Sequence, residues 1–249
     1  MFCGLFTGLL LEGRLQAQEK PTVHVAAAAD LQPVMPAFAY AFEQKTGTKL
    51  TVSFGSSATL AQQIINGAPF DVFLGADFVF PEKVVAAGLA TAAPLQYAKG
   101  TLVLFARKDS PLNPLHMEEL TDPRVTKVAI ADQFHAPFGR AGYAALDKLK
   151  ILPQVTPRLV VAENVAQTAQ FVVSGNAQLG LISLTLASSK AMADVGNYIR
   201  VPTVYPEILQ YGVVMKNGPN RAGGEAFLEF IRSPEVQNKL TDFGLEPVK

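Results

Sequence analysis

Ser57, His135 and Asp30 are the residue types of a nucleophile, a base and an orienting acid, and each lies in a segment joining two regular elements. Such a relay is defined by geometry, and in an open α/β hydrolase its serine sits in a Gly-x-Ser-x-Gly elbow. Here the segment reads Phe54-Gly55-Ser56-Ser57-Ala58 and lacks the second glycine, so a serine hydrolase is only a remote alternative. Metal chemistry has less to work with. His24, His116 and His135 are scattered without ligand partners at useful spacing. The single cysteine, Cys3, supports neither an intramolecular disulfide nor a Cys-based zinc site. No metal cation, cofactor or catalytic activity is expected.

A different chemistry resides in four segments rich in small or hydroxyl residues: Ala26–Leu31 (AAAADL), Phe54–Leu60 (FGSSATL), Ala136–Arg140 (APFGR) and Ala162–Ala166 (AENVA). Each follows a strand-like run and opens a helix-like one. In an open α/β sheet, ligands sit beyond the carboxyl ends of the strands, where these junctions fall. The first N–H groups of a helix have no intrahelical partner, and the macrodipole adds partial positive charge there. Helix N-termini that converge therefore make an anion site without Lys or Arg. Taken singly, each junction also reads as a capped helix, with Ser57 as an N-cap and Asp30 folding its oxygens back on its own helix. Arg140 and Lys99 leave a second ligand class open, a carboxylate or phosphate ester held bidentately, although Arg140 also reads as a solvated helix face.

The elements that must position these junctions alternate along the chain. Strands are expected at Thr22–Ala27, Leu50–Phe54, Asp71–Gly75, Thr101–Ala106, Lys127–Ala131, Leu159–Ala162, Gln178–Ser183 and Ile208–Met215. Helices are expected at Leu31–Lys45, Ala58–Ile65, Pro81–Ala87, Gly139–Leu149, Ala166–Val173, Leu184–Met192, Gly223–Ile231 and Pro234–Thr241. This is the pattern of an α/β fold with largely parallel strands. Pro36 is awkward in the first helix, which must start at Pro33 or open with a distorted turn. The chain has 249 residues, 49% hydrophobic and 17% charged, enough for one large domain or two smaller ones. Lys+Arg and Asp+Glu both total 21, which argues against nucleic acid as a partner. At the N-terminus, the apolar run Phe2–Leu11 and the small-residue site Leu15-x-Ala17 read as a signal peptide over 1–17, with export and a cysteine-free mature chain. No later segment reaches membrane-spanning length.

VAAAADL (Val25–Leu31), FGSSATLAQQI (Phe54–Ile64), GAPFDVFLGAD (Gly67–Asp77), HAPFGRAG (His135–Gly142), AENVAQTAQFV (Ala162–Val172) and LGLIS (Leu179–Ser183) form an ordered set. In that order the chain resembles the periplasmic molybdate-binding proteins of ABC importers, over about Val23 to Gly244. The resemblance implies the type II periplasmic binding fold: two α/β lobes with mixed sheets, joined by crossover hinge strands. Lobe 1 would hold 20–100 and 208–249, lobe 2 101–207, with hinges near Ala98–Thr101 and Tyr205–Leu209. It further implies a molybdate or tungstate oxyanion held at Ala29 and Asp30, by the hydroxyl and N–H of Ser57, by the backbone N–H groups of Phe138 and Val165, and near Ser183. The sequence departs from the family at two of these places, and Asp30 raises a sharper concern. Ala29 has no hydroxyl, Ser183 is shorter than the tyrosine of one branch, and an ionised Asp30 offers only acceptors, as does the oxyanion. The implied protein is a monomeric, exported, periplasmic solute-binding protein that serves a membrane permease. Another small anion (sulfate-like, phosphate ester or carboxylate) on the same fold is the alternative.

Overall fold

The computed structural model describes residues 21–248, so the signal-peptide reading of 1–17 lies outside the described residues. Val72–Gly75, Val128–Ala131 and Leu179–Ser183 are unbroken buried apolar runs, the pattern of strands covered on both faces. They anchor two five-stranded sheets, one in each lobe.

The first sheet begins with β1 (Thr22–Ala28), α1 (Met35–Thr46), β2 (Lys49–Gly55), α2 (Ser57–Ile65), β3 (Val72–Gly75), α3 (Val79–Ala86) and β4 (Leu95–Gly100). The chain then crosses at Thr101 into the second sheet. This is built from β5 (Leu102–Arg107), β6 (Val128–Ala131), α4 (Pro137–Lys148), α5 (Leu152–Val155), β7 (Leu159–Ala162), α6 (Val165–Val173), β8 (Leu179–Ser183), α7 (Leu184–Ala187), α8 (Lys190–Val195) and β9 (Gly196–Arg200). Residues 201–207 return it to the first sheet as β10 (Ile208–Val214), followed by α9 (Arg221–Arg232) and α10 (Pro234–Gln237).

The strand orders are β2-β1-β3-β10-β4 and β7-β6-β8-β5-β9. The pairs β1–β2, β1–β3, β6–β7 and β6–β8 are parallel, whereas β10 and β5 run antiparallel to both of their neighbours. The expectation of largely parallel sheets is thus corrected. The strands that follow the two crossovers, β5 and β10, enter their sheets against the direction of the others, which makes both sheets mixed.

Helix boundaries follow local chemistry. α1 begins at Met35, so Pro36 falls in the first turn, where its missing N–H costs nothing, and Ala29–Leu31 form a separate 3-10 turn. The single helix expected over Leu184–Met192 is two. Ser188 and Ser189 turn their hydroxyls back to the carbonyls of Leu184 and Leu186 and divide α7 from α8. Gly67 and Gly175 stop α2 and α6 in the left-handed region, at φ +93° and +77°.

Candidate functional site

β1 and β2 end side by side, Ala28 opposite Gly55, and so do β6 and β7, Ala131 opposite Ala162. Each pair of strand ends therefore delivers two chain turns to one place. From lobe 1 come the 3-10 turn Ala29–Leu31 and the start of α2; from lobe 2 come the starts of α4 and α6. They meet at a small, tightly closed cleft, whose lining includes Ala29, Asp30, Ser57, Ala76, Phe138 and Val165. Five of the six residues singled out in the sequence are brought together there. Ser183 is not in the lining.

Capping decides which N–H groups remain. In α6 the Asn164 side chain accepts from the N–H groups of Ala166 and Gln167, at 3.1 and 3.0 Å, and leaves that of Val165. In α2 the cap is Ser56, whose Oγ accepts from Thr59 N–H at 3.1 Å, so Ser57 is the first helical residue and the N-cap reading of it is corrected. Ala58 N–H donates to the His135 carbonyl at 3.2 Å, which leaves the N–H of Ser57. In α4, Pro137 occupies the first turn and has no N–H to satisfy, and Phe138 follows without a side-chain cap. Ser57 adds a hydroxyl. Its Oγ accepts from Ala76 N–H at 3.1 Å, so its own proton remains to be donated.

Tight backbone packing sets these positions. A Cβ on Gly139 would lie 2.3 Å from the Ala131 carbonyl oxygen, so only glycine lets α4 start this close to the end of β6. A Cβ on Gly100 would meet the Phe138 ring at 2.8 Å, which ties the crossover to the start of α4.

Asp30 departs from the sequence reading. It lies inside the 3-10 turn, which has no side-chain cap, so it is not an N-cap, and within that turn its carboxyl meets only its own backbone N–H. Its Oδ2 accepts from the Gln210 amide of β10 at 2.5 Å, and the Thr185 hydroxyl donates to its backbone carbonyl at 2.7 Å. Burial pushes its carboxyl up to about 7, with the Gln210 hydrogen bond pulling the other way. Ser183 is fully buried; its Oγ shares a hydrogen bond with Thr185 at 2.8 Å and accepts from Leu186 N–H at the start of α7.

The other chemistries considered do not assemble. His135 turns Nδ1 to Asp132 at 3.2 Å and Asp30 pairs with Gln210, so Ser57, His135 and Asp30 form no relay. Arg140 is not a merely solvated residue: it reaches across to Asp77 at 2.9 Å, while Asp77 Oδ1 accepts from Phe80 N–H. Lys99 pairs with Glu207 at 2.5 Å and Glu246 at 3.6 Å. Both cations proposed for a carboxylate or phosphate ester are committed to acids. Among the described residues no group of His, Cys, Asp and Glu could hold a metal ion, and no helix is long and apolar enough to cross a membrane. Gln210 and Thr185 were not singled out in the sequence; nothing local marks them, because their partner Asp30 is remote in the chain.

Comparison with known proteins places the cleft in context. Residues 23–246 match the family model described as bacterial extracellular solute-binding protein. The chain is 33% identical to the molybdate-binding protein ModA of Rhodobacter capsulatus, over 89% of this chain and 87% of that protein. It is 32% identical to ModA of Azotobacter vinelandii, over 92% and 91%. The solved structure titled as the Azotobacter vinelandii periplasmic molybdate-binding protein superposes with a TM-score of 0.83 at 29% identity, covering 91% of this chain and all of that one.

Proposed function

The chain belongs to the bacterial extracellular solute-binding proteins, and from that premise we propose that it captures molybdate or tungstate between its lobes and presents it to the membrane permease of an ABC importer. It is a binding protein and not an enzyme, and the oxyanion is its ligand rather than a cofactor. The reading rests on one observation above all: the N–H groups left over by capping, at Ser57, Phe138 and Val165, belong to residues that line the same cleft, together with the Ser57 hydroxyl. Such a cleft binds a dianion through dipoles, without a Lys or Arg that would favour a carboxylate or phosphate ester.

In this reading the anion touches Ala29, Asp30, Ser57, Phe138 and Val165. Ser183 acts one step back, through Thr185, which holds the Asp30 carbonyl. Residues 20–100 with 208–249 form one capturing lobe and 101–207 the other. The mature protein works as an exported, periplasmic monomer, and the relatives carrying molybdate in their names support the choice of ligand. Calorimetry with molybdate, tungstate, sulfate and phosphate tests the assignment. Tight binding of the first two and far weaker binding of the others is expected; absent heats for molybdate and tungstate, or heats equal to those for sulfate, overturn it.

A further inference from the structure

Asp30 is buried and lines the cleft, and among side chains Gln210 holds its carboxyl by one oxygen. Its Oδ2 takes the Gln210 amide, whereas Oδ1 has no partner, and neither has the amide oxygen of Gln210. A carboxylate here would hold a full charge out of water with one side-chain hydrogen bond and its own backbone N–H. Among the described residues no Lys, Arg or His pairs with it, since Lys99 and Arg140 are engaged elsewhere. It would also oppose acceptors to an oxyanion that itself has only acceptors. One proton removes both conflicts, and Oδ1 is the oxygen left to carry it.

Building on the oxyanion reading above, we propose that Asp30 binds the ligand as a neutral carboxylic acid, its Oδ1–H donating to an anion oxygen while Gln210 holds Oδ2. Capture at alkaline pH then takes up a proton. The same O–H sets specificity: it suits an anion without protons and mismatches a hydrogen phosphate, whose own O–H requires an acceptor.

The surroundings favour the acid. Tyr97 of β4 donates its hydroxyl to the Gly75 carbonyl at 3.2 Å, and burial together with Asp30 pushes its phenol well up. β10 presents neutral Gln210, while the ring of Tyr211 packs on Phe78. α6 and α7, which pack on the 3-10 turn, carry no ionisable side chain, and Lys49 of β2 lies at the far end of the sheet, opposite Thr22.

Calorimetric titration of the wild type with tungstate, at about pH 6 and about pH 8.5 in buffers of different ionisation heat, reads the proton directly. Close to one proton taken up per tungstate is expected at the higher pH and little at the lower. Affinity should fall about tenfold per pH unit above about 7. Asp30→Asn, a permanent donor of the same shape, should abolish the uptake and bind tungstate at about pH 8.5 at least about tenfold more tightly than the wild type. Tungstate binding by the wild type that is independent of pH and takes up no proton overturns the proposal but not the oxyanion reading. Phosphate binding that Asp30→Asn abolishes also overturns it, because Asp30 would then be an ionised acceptor. Failure to bind tungstate at any pH overturns both.

Discussion

Ser57 lines the cleft, and the Ala76 N–H that occupies one lone pair of its hydroxyl leaves the hydroxyl proton to be donated. Ser57→Ala removes one hydrogen bond to a charged group, worth roughly 1.5–3 kcal/mol. A tenfold to hundredfold weaker dissociation constant for molybdate is therefore expected from calorimetry; an unchanged constant would reduce the serine to a packing residue. Asp30 makes a prediction about stability. Its carboxyl rises from an ordinary 3.8 to about 7 on folding, so between those values the native state binds more protons than the unfolded one. Stability contributed at low pH is then lost as pH rises through this window, by an amount on the order of a few kcal/mol. Urea unfolding at about pH 4.5 and about pH 8 should show Asp30→Asn gaining on the wild type at the higher pH; a constant difference between the two contradicts the buried-acid reading. The cleft positions of Ser57, Phe138 and Val165 were legible because each lies at a strand-to-helix junction. The role of Asp30 was not. Its neighbours suggested a cap, while its actual partner, Gln210, arrives from β10 at the other end of the chain.

The elements place the donors by a division of labour between caps and starts. Asn164 and Ser56 absorb the N–H groups deeper in the first turns of α6 and α2, while Pro137 spends the first position of α4 on a residue with no donor. Gly139 then allows α4 to begin against the Ala131 carbonyl. Gly139→Ala must push the helix start away from β6, and overpacking of this kind costs roughly 1–3 kcal/mol. Thermal unfolding should show that loss, and calorimetry should show weaker anion binding as the Phe138 N–H moves; unchanged values of both would remove α4 from the site. Most elements could be read from the sequence because their apolar runs are continuous and buried. β4 (LQYAKG) and β9 (GNYIR) could not. Both are edge strands carrying Gly and charged residues, held by antiparallel pairing to β10 and β5 rather than by any pattern of their own. The proline of α5 and its length of four residues hid it equally well.

At the scale of the molecule, the lobes touch through few polar contacts around the cleft. Ala58 N–H meets the His135 carbonyl, the Thr185 hydroxyl meets the Asp30 carbonyl at 2.7 Å, the Thr59 hydroxyl meets Glu163 at 3.1 Å, and Arg140 meets Asp77. Half-exposed ion pairs of the last kind are worth about 0–1 kcal/mol, too little to hold the lobes shut alone. An anion that needs donors from both lobes supplies the difference, because only the closed arrangement completes its hydrogen-bond shell. Hinge motion needs few residues, and among the described residues the chain crosses between the sheets only at Thr101 and over 201–207. Small-angle scattering should therefore show a smaller radius of gyration with saturating molybdate. Arg140→Ala should weaken binding by less than about fivefold, and less than Ser57→Ala does. An identical radius with and without ligand would indicate a rigid, preformed pocket. The two-lobed plan was legible only through the ordered set of motifs, since no composition shift or linker marks where one lobe gives way to the other.

Tungsten scatters X-rays anomalously, so crystals grown with tungstate report the position of the anion without assumptions about the protein. The account predicts one strong anomalous peak in the cleft, with oxygens at about 2.7–3.1 Å from the Ser57 hydroxyl and from the N–H groups of Ser57, Phe138 and Val165. A peak beside Arg140 or Lys99, or none between the lobes in crystals soaked to saturation, would contradict it.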